Sequence, residues 1–292
     1  MNSRPEKHEK LESILKLVNR SEISSIKSIV SGIIRIINDP DSTIRDLKEI
    51  VEVDPPLTTK VLMVANSAYY APRNKIGDIK QALIWIGFDT LKELALSQKV
   101  CSIFNGNGCI EGYSRDLLWK HSVAVALFSK MLYRREFRES GANAYVAGLL
   151  HDIGLIVEDQ FLQSGFKEVL KISSEKQINL SSAEQKVFGF NHAEVGMAIT
   201  SNWKLPGELS VAIGYHDDPL AADPAFFKLA ATLYVAEYFS RQYDLGYSDT
   251  RIQDHETFQE CLTALDVEPH ALDLIVEDVR QELSKMAEKG LF

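Results

Sequence analysis

Apolar residues recur every three to four positions along most of the chain, which is the spacing of one face of an α-helix. The stretch after Pro55 is an example, with Leu57, Val61, Leu62 and Ala65 at that spacing. Alternation with a period of two, which indicates a strand, is almost absent. The pattern predicts an all-α protein with fewer than about one residue in twenty in strands.

Helix start and stop signals divide this pattern into elements. Asp54 before Pro55 is typical of a helix start, because the carboxylate caps the free N–H groups and proline lacks one. A predicted helix therefore begins at Pro55. The other predicted helices cover residues 43–53, 79–86, 90–100, 114–133, 141–153, 160–176, 182–188, 192–202, 209–215, 226–242, 255–265 and 271–288.

The strongest interior break is residues 104–108, which read FNGNG. It predicts an N-terminal helical lobe over residues 1–110 and a larger helical lobe over residues 111–292. No repeat and no Pro- or Gly-rich linker separates them, so we expect a two-lobed helical bundle that packs as one rigid unit.

The charge balance argues against a nucleic-acid partner. The 292 residues carry 41 acidic and 32 basic side chains, a formal net charge of −9, and the basic residues are interspersed with acidic ones. A nucleic-acid surface normally shows a basic stripe that displaces counterions.

The cysteines and the apolar runs indicate where in the cell the protein is expected. Cys101, Cys109 and Cys261 form no regular framework, and the polar N-terminus does not resemble a secretory signal. Apolar runs such as residues 144–150 are far shorter than the ~20 residues that span a bilayer. We therefore expect a cytoplasmic protein with no membrane partner.

The seven histidines fall into two groups. Three of them lie among polar neighbours and are predicted to be solvated: His8, His255 and His270. Four lie in apolar stretches: His121, His151, His192 and His216. Any one of these four histidines, taken alone, is interpreted as a hydrogen-bonded core residue. As a set they predict a shared metal ion, because burying four imidazoles is costly unless each finds a partner. Imidazole mixed with carboxylate suits Fe, Mn or Zn.

His151 and Asp152 are the centre of this set. Adjacent helix residues diverge by about 100°, so both reach one ion only near a helix end. Gly154 fits such an end. The Asp152 carboxylate can also bridge two ions, one at each oxygen.

The surrounding residues carry a family resemblance. Residues 147–154, AGLLHDIG, resemble the signature of the HD superfamily of metal-dependent phosphohydrolases. Residues 54–58, DPPLT, followed by residues 65–69, ANSAY, are similar to the corresponding segment of the HDOD family, the HD-related output domains. The resemblance continues through residues 79–87, 192–196, 203–206 and 215–219, and covers about residues 17–216.

The resemblance implies an HD-like helical fold and a metal-ligand set of His121, His151, Asp152, His192 and His216. The chain departs from the pattern at two positions. Asp217 stands where metal-binding relatives often have a second histidine, and Glu237 stands where HD enzymes carry a final aspartate. Both are oxygen ligands in principle. The Gly-Tyr-Pro loop of the cyclic-dinucleotide phosphodiesterase relatives is missing.

Two functions follow from the resemblance. The first is a bacterial signalling or regulatory output module that acts through a protein partner and holds a divalent metal such as Fe, Mn, Ni or Zn. The alternative is a metal-dependent phosphohydrolase, a phosphatase or phosphodiesterase acting on a phosphate-containing small molecule, in which metal-activated water attacks the ester. HDOD domains mostly serve as regulatory outputs, which favours the first.

Overall fold

The computed structural model describes residues 3–104, 109–110, 112–247 and 254–288. Within these ranges the regular structure is helical apart from one antiparallel pair of two-residue strands, β1 (Cys109–Ile110) and β2 (Tyr113–Ser114). The predicted all-α class is therefore confirmed. Residues 105–108 of the predicted break lie outside the described residues.

Of the helices before the strands, the four from residue 44 onward lie close to predicted helices, and the first three were given no predicted bounds. In chain order, the helices before the strands are α1 (Ser3–Val18), α2 (Glu22–Ser25), α3 (Lys27–Asn38), α4 (Ile44–Glu52), α5 (Pro55–Ala65), α6 (Ile79–Ile86) and α7 (Phe88–Phe104).

The helices after the strands include α10 (Ile153–Phe161), which the sequence pattern did not separate from the helix before it. They are α8 (Arg115–Leu132), α9 (Ala142–Leu150), α10 (Ile153–Phe161), α11 (Gln163–Lys176), α12 (Leu180–Val187), α13 (His192–Asn202), α14 (Gly207–Gly214), α15 (Phe227–Gln242), α16 (His255–Leu265) and α17 (Pro269–Glu288). The predicted helix over residues 141–153 ends at Leu150, and α10 begins three residues later. The continuous apolar run through both helices concealed this break.

The chain divides into two compact units. The larger comprises Met1–Ser24 and Phe104–Arg280, and the smaller comprises Ser25–Ile103 and Gln281–Phe292. The division at Phe104 lies close to the predicted boundary at residue 110. Among the described residues, 3–24 belong to the larger unit and 281–288 to the smaller one, so each unit is built from two separate segments and neither matches a predicted lobe in full.

The motif residues of the smaller unit have structural roles. The Asp54 carboxylate accepts a hydrogen bond from Leu57 N at 3.0 Å at the start of α5 and pairs with Lys99. Asn66 Nδ2 donates to the carbonyl of Ile76 at 2.9 Å, and Asn66 Oδ1 accepts from Ile76 N at 2.8 Å. Asn66 thereby closes the loop that leads to α6.

The core of the larger unit is centred on α8 and α9. Residues of α9 from Ala144 to Leu150 are all buried, and α9 packs against α8 and α14. A Cβ added at Gly148 would lie only 2.5 Å from the Cα of Ala126. The two helix backbones therefore approach closely because residue 148 has no side chain. This approach places the C-terminal end of α9 beside α8.

Among the described helices, none combines the length and the apolar composition that a membrane span requires.

Replacing Gly148 with alanine is expected to lower the free energy of unfolding of the larger unit by about 1–3 kcal/mol, because the added methyl meets rigid backbone. Urea unfolding followed by circular dichroism measures the change. Gly207→Ala is the matched control, since nothing lies within 4 Å of its added Cβ. An unfolding midpoint for Gly148→Ala equal to that of the control would contradict the close approach of α8 and α9.

Candidate metal centre

Six predicted ligands come together in the larger unit. His121 lies in α8, His151 and Asp152 occupy the junction of α9 and α10, and His192 is the first residue of α13. His216 follows α14, and Glu237 lies in α15. Each of the six residues is at most 5% exposed. The structure thus brings together every residue of the predicted set, and their binding of metal stays a prediction.

The first ligand group consists of His121, His151, Asp152 and Glu237. Glu237 Oε1 lies 2.7 Å from His121 Nε2 and 2.5 Å from His151 Nε2. Asp152 Oδ2 lies 3.1 Å from His151 Nε2. One ligand atom from each of the four lies within 4.8 Å of the others, which is compatible with a single ion. We call this group compartment one.

The second group consists of Asp152, His192 and His216. Asp152 Oδ1 lies 3.4 Å from His192 Nε2 and 3.7 Å from His216 Nε2. Asp217 Oδ2 lies 3.5 Å from His192 Nε2, so Asp217 also faces this group. We call the group with Asp217 compartment two.

Asp152 belongs to both compartments through different oxygens. Its Oδ2 faces compartment one and its Oδ1 faces compartment two. A carboxylate in this position can hold two ions at once, as bridging carboxylates do in two-metal sites. The bridging role predicted for Asp152 is therefore geometrically available.

The hydrogen bonds of the imidazoles fit a bound cation. His151 Nδ1 lies 2.8 Å from the carbonyl of Gly148, and His216 Nδ1 lies 2.7 Å from the carbonyl of Ile213. Because a carbonyl can only accept, each Nδ1 carries the hydrogen, and in the neutral ring each Nε2 presents a lone pair to the cluster. These lone pairs face carboxylate oxygens and another ring nitrogen. A metal ion held by them would satisfy all of these acceptors together.

The electrostatics of the cluster favour the same conclusion. Burial alone would raise the pKa of Asp152, but His151 holds the pKa of that carboxyl well below its usual range. Burial would also raise the pKa of Glu237, and His121 and Arg241 outweigh it and lower that pKa. Burial opposes charge on His151, yet Asp152 and Glu237 raise its pKa to about 10. Without metal, protonated imidazole and Arg241 neutralise the buried carboxylates, and a divalent ion held by the same residues would take over the charge of the imidazoles.

Two close backbone contacts hold the ligands in place. Gly154 lies in α10 rather than ending a helix, contrary to the sequence interpretation, and its Cβ would meet His192 O at 2.0 Å. Gly246 has a φ of +108°, and its Cβ would meet His121 N at 2.5 Å. Each glycine lets a neighbouring segment lie directly against a ligand-bearing backbone, and the positive φ adds a second reason for glycine at 246.

Among the described residues, little space lies directly beside His121, Asp152 and His192. Its own cavity has a volume of about 10 Å³ and is covered by Leu180, Arg241 and Tyr247. That is roughly the volume needed for one water molecule. A neighbouring cavity of about 270 Å³ reaches Glu237 and Asp217 and is also lined by Arg241.

The sequence interpretation missed three residues that shape the site. Glu184 accepts hydrogen bonds from both Nδ1 and the backbone N of His192 at 2.8 Å. Arg241 Nε lies 2.8 Å from Glu237 Oε2, and Tyr247 N donates to the Leu117 carbonyl at 2.9 Å. The spacing of Glu237 and Arg241, four residues on one helix, was a usable signal. Glu184 and Tyr247 lie outside the motifs.

An all-α unit with a buried histidine–carboxylate cluster at a helix junction is what the resemblance to the HD superfamily predicts. The model of the HDOD domain family matches residues 23–219, which is more than half of the chain. The chain therefore belongs to the HDOD domain family.

Solved structures with similar folds agree with this membership. An HDOD domain protein of unknown function from Geobacter sulfurreducens is 28% identical, with a TM-score of 0.75 over 91% of this chain and 92% of that one. A candidate signal transduction protein from Marinobacter aquaeolei VT8 is 22% identical, with a TM-score of 0.79 over 97% of this chain and 65% of that one. A candidate phosphohydrolase from Shewanella amazonensis SB2B is 22% identical, with a TM-score of 0.68 over 90% and 93% of the two chains.

A curated relative also matches. An uncharacterised protein of Treponema pallidum (strain Nichols) is 24% identical over 224 residues, which is 76% of this chain. The matched region covers 43% of that relative's length.

Single substitutions should separate the two compartments by metal stoichiometry. We expect two Mn²⁺ per chain in the unmodified protein, one in Glu237→Gln and one in His216→Ala. Asp152→Asn should bind none, because it weakens both ligand groups. Elemental analysis after reconstitution and desalting measures the content, with exposed Glu260→Gln as the control. Loss of only one ion in Asp152→Asn would contradict the bridging role.

Proposed function

We propose that this HDOD chain is a regulatory output module of a bacterial signalling pathway, that it holds divalent metal as part of its fold, and that it acts through a protein partner. The observation that carries the proposal is the small space beside His121, Asp152 and His192, as distinct from the larger cavity that Glu237 and Asp217 line. A site that turns over a phosphate ester needs an open ligand position beside the metal, and the space here is about 10 Å³.

The charge beside the cluster supports the same function. The neighbouring cavity is lined by four carboxylates and one guanidinium: Asp217, Asp218, Glu237, Asp254 and Arg241. Arg241 is already paired with Glu237. With Glu237 and Asp217 bound to metal, Asp218 and Asp254 still line the cavity, and their negative charge opposes the binding of a phosphate-bearing substrate.

The metal would be held by His121, His151, Asp152 and Glu237 in compartment one, and by His192, His216, Asp152 and Asp217 in compartment two. Fe, Mn, Ni or Zn suit this mixture of imidazole and carboxylate. The protein's own residues orient the imidazoles, keep the carboxylates ionised and limit the space for water. The similarity of fold to the Marinobacter protein, named as a candidate signal transduction protein, adds support at the level of architecture.

A metal-dependent phosphohydrolase is the second candidate, and the division of the Asp152 carboxylate between two ligand groups favours it. Paired ions in such an enzyme supply Lewis acidity and an activated water nucleophile. In that case Arg241 would have to leave Glu237 to admit a phosphate from the larger cavity.

Metal is expected to stabilise the chain without producing turnover. At a hundredfold excess of Mn²⁺ over Kd the stabilisation should be about 2.7 kcal/mol for each ion bound, because the ions bind only the folded state. Thermal unfolding with Mn²⁺ or with EDTA measures it, and the same samples are assayed against bis(p-nitrophenyl) phosphate. Asp152→Ala should lose the metal-dependent shift, and Asp89→Ala, whose side chain is 88% exposed, should keep it.

Sustained hydrolysis that requires Mn²⁺, Fe²⁺ or Ni²⁺ and disappears in Asp152→Ala would contradict the regulatory module and favour the phosphohydrolase. Equal melting temperatures with metal and with EDTA would contradict the metal-holding part of the proposal.

A further inference from the structure

One arginine contacts a predicted ligand of each compartment. Arg241 lies in α15, one turn after Glu237. Its Nε atom lies 2.8 Å from Glu237 Oε2, and its Nη2 atom lies 4.0 Å from Asp217 Oδ1. Arg241 also lines both the space of about 10 Å³ beside the ligands and the cavity of about 270 Å³. Its side chain therefore borders the ligands on one side and the larger cavity on the other.

The two carboxylate oxygens of Glu237 have different neighbours. Oε1 lies 2.7 Å from His121 Nε2 and 2.5 Å from His151 Nε2, whereas Oε2 lies beside Arg241. A glutamate side chain has three torsions, so the same backbone allows several positions of its carboxylate. The attraction between Arg241 and Oε2 selects the position in which Oε1 faces the two imidazoles of compartment one.

The contact between Arg241 and Glu237 acts through charge rather than through a directed hydrogen bond. Among the described residues, no donor is aligned with Glu237 Oε2 for a hydrogen bond, although the guanidinium group lies at 2.8 Å. The side chain of Glu237 is 5% exposed and that of Arg241 is 21% exposed, so water screens the attraction only in part. Another cation at position 241 should therefore replace arginine, and a neutral amide should not.

We propose that Arg241 is a positioning residue whose charge fixes Glu237 with Oε1 toward compartment one, and that this contact raises the affinity of compartment one for its ion. The inference rests on the proposed metal centre and deepens it. Arg241 is not itself a ligand, because a guanidinium group offers donors and no lone pair. It acts through the outer oxygen of Glu237, as groups that contact a ligating carboxylate do in other metal sites. The longer distance to Asp217 makes its effect on compartment two smaller.

Mn²⁺ titration of the metal-free full chain tests the proposal, with free Mn²⁺ measured by electron paramagnetic resonance. The variants are made in the His216→Ala background, in which the ion of compartment one alone is expected to remain. Arg241→Met and Arg241→Gln should weaken that ion by about tenfold. Arg241→Lys keeps the positive charge and should stay within about threefold of its parent. Arg134→Met removes an exposed arginine from another helix and should leave the dissociation constant unchanged.

The visible absorption of bound Co²⁺ provides a second readout, because it reports the ligand geometry around the ion. The spectrum should change in Arg241→Met, where Glu237 is no longer fixed, and should be kept in Arg241→Lys. An unmodified chain that binds neither Mn²⁺ nor Co²⁺ would contradict the metal centre and the inference together.

Two results would overturn the inference alone. One is an Arg241→Met variant that binds Mn²⁺ as tightly as its parent or more tightly, since Arg241 would then act only as a charge that competes with the ion. The other is an Arg241→Lys variant that binds no better than Arg241→Gln, a comparison that does not require Arg241→Met to fold.

Discussion

The Asp152 carboxylate is buried among imidazoles, where water cannot solvate its charge. Its two oxygens face different histidines, at 3.1 Å from His151 and 3.4 Å from His192. A buried anion of this kind is costly unless cations or hydrogen-bond donors surround it. The arrangement of the larger unit around it follows from that requirement, because ligands must arrive from several helices at once.

The helix packing meets the requirement through close backbone contacts rather than through long side chains. Gly148 brings α9 against α8, and Gly154 brings α10 against the start of α13. These contacts place three ligand-bearing segments around one small volume. The same close packing leaves about 10 Å³ beside His121, Asp152 and His192, so the positioning of the ligands and the small space between them have a common origin. In this account, metal completes the core of the unit in the way that a structural zinc site does.

The sequence was informative where the signal is local and periodic. Helix caps such as Asp54 and the apolar surroundings of the four histidines could be read directly, because burial and capping leave a pattern in neighbouring residues. The convergence of Glu237 with His121 came from a family resemblance, since 116 positions separate them and periodicity carries no information at that range.

Other features could not be read in this way. The break between α9 and α10 lies inside a continuous apolar run, where both helices are buried and no polar residue marks the end except His151 and Asp152 themselves. Glu158 and Glu184 are of a residue type that usually lies at the surface, because charged side chains are rarely fully buried. Their burial depends on contacts between α10, α12 and α13 that only the tertiary structure reveals. The division into units likewise depends on tertiary contacts of residues 3–24 and 281–288.

The central claim is that one buried carboxylate organises two adjacent metal positions. Crystals of the full chain soaked in Mn²⁺ and measured by anomalous diffraction test it most directly. The account predicts two anomalous peaks in the larger unit, one beside each oxygen of Asp152, with His121, His151 and Glu237 around the first and His192, His216 and Asp217 around the second. A cluster with no anomalous peak, in protein whose six ligands occupy the positions described above, would contradict it.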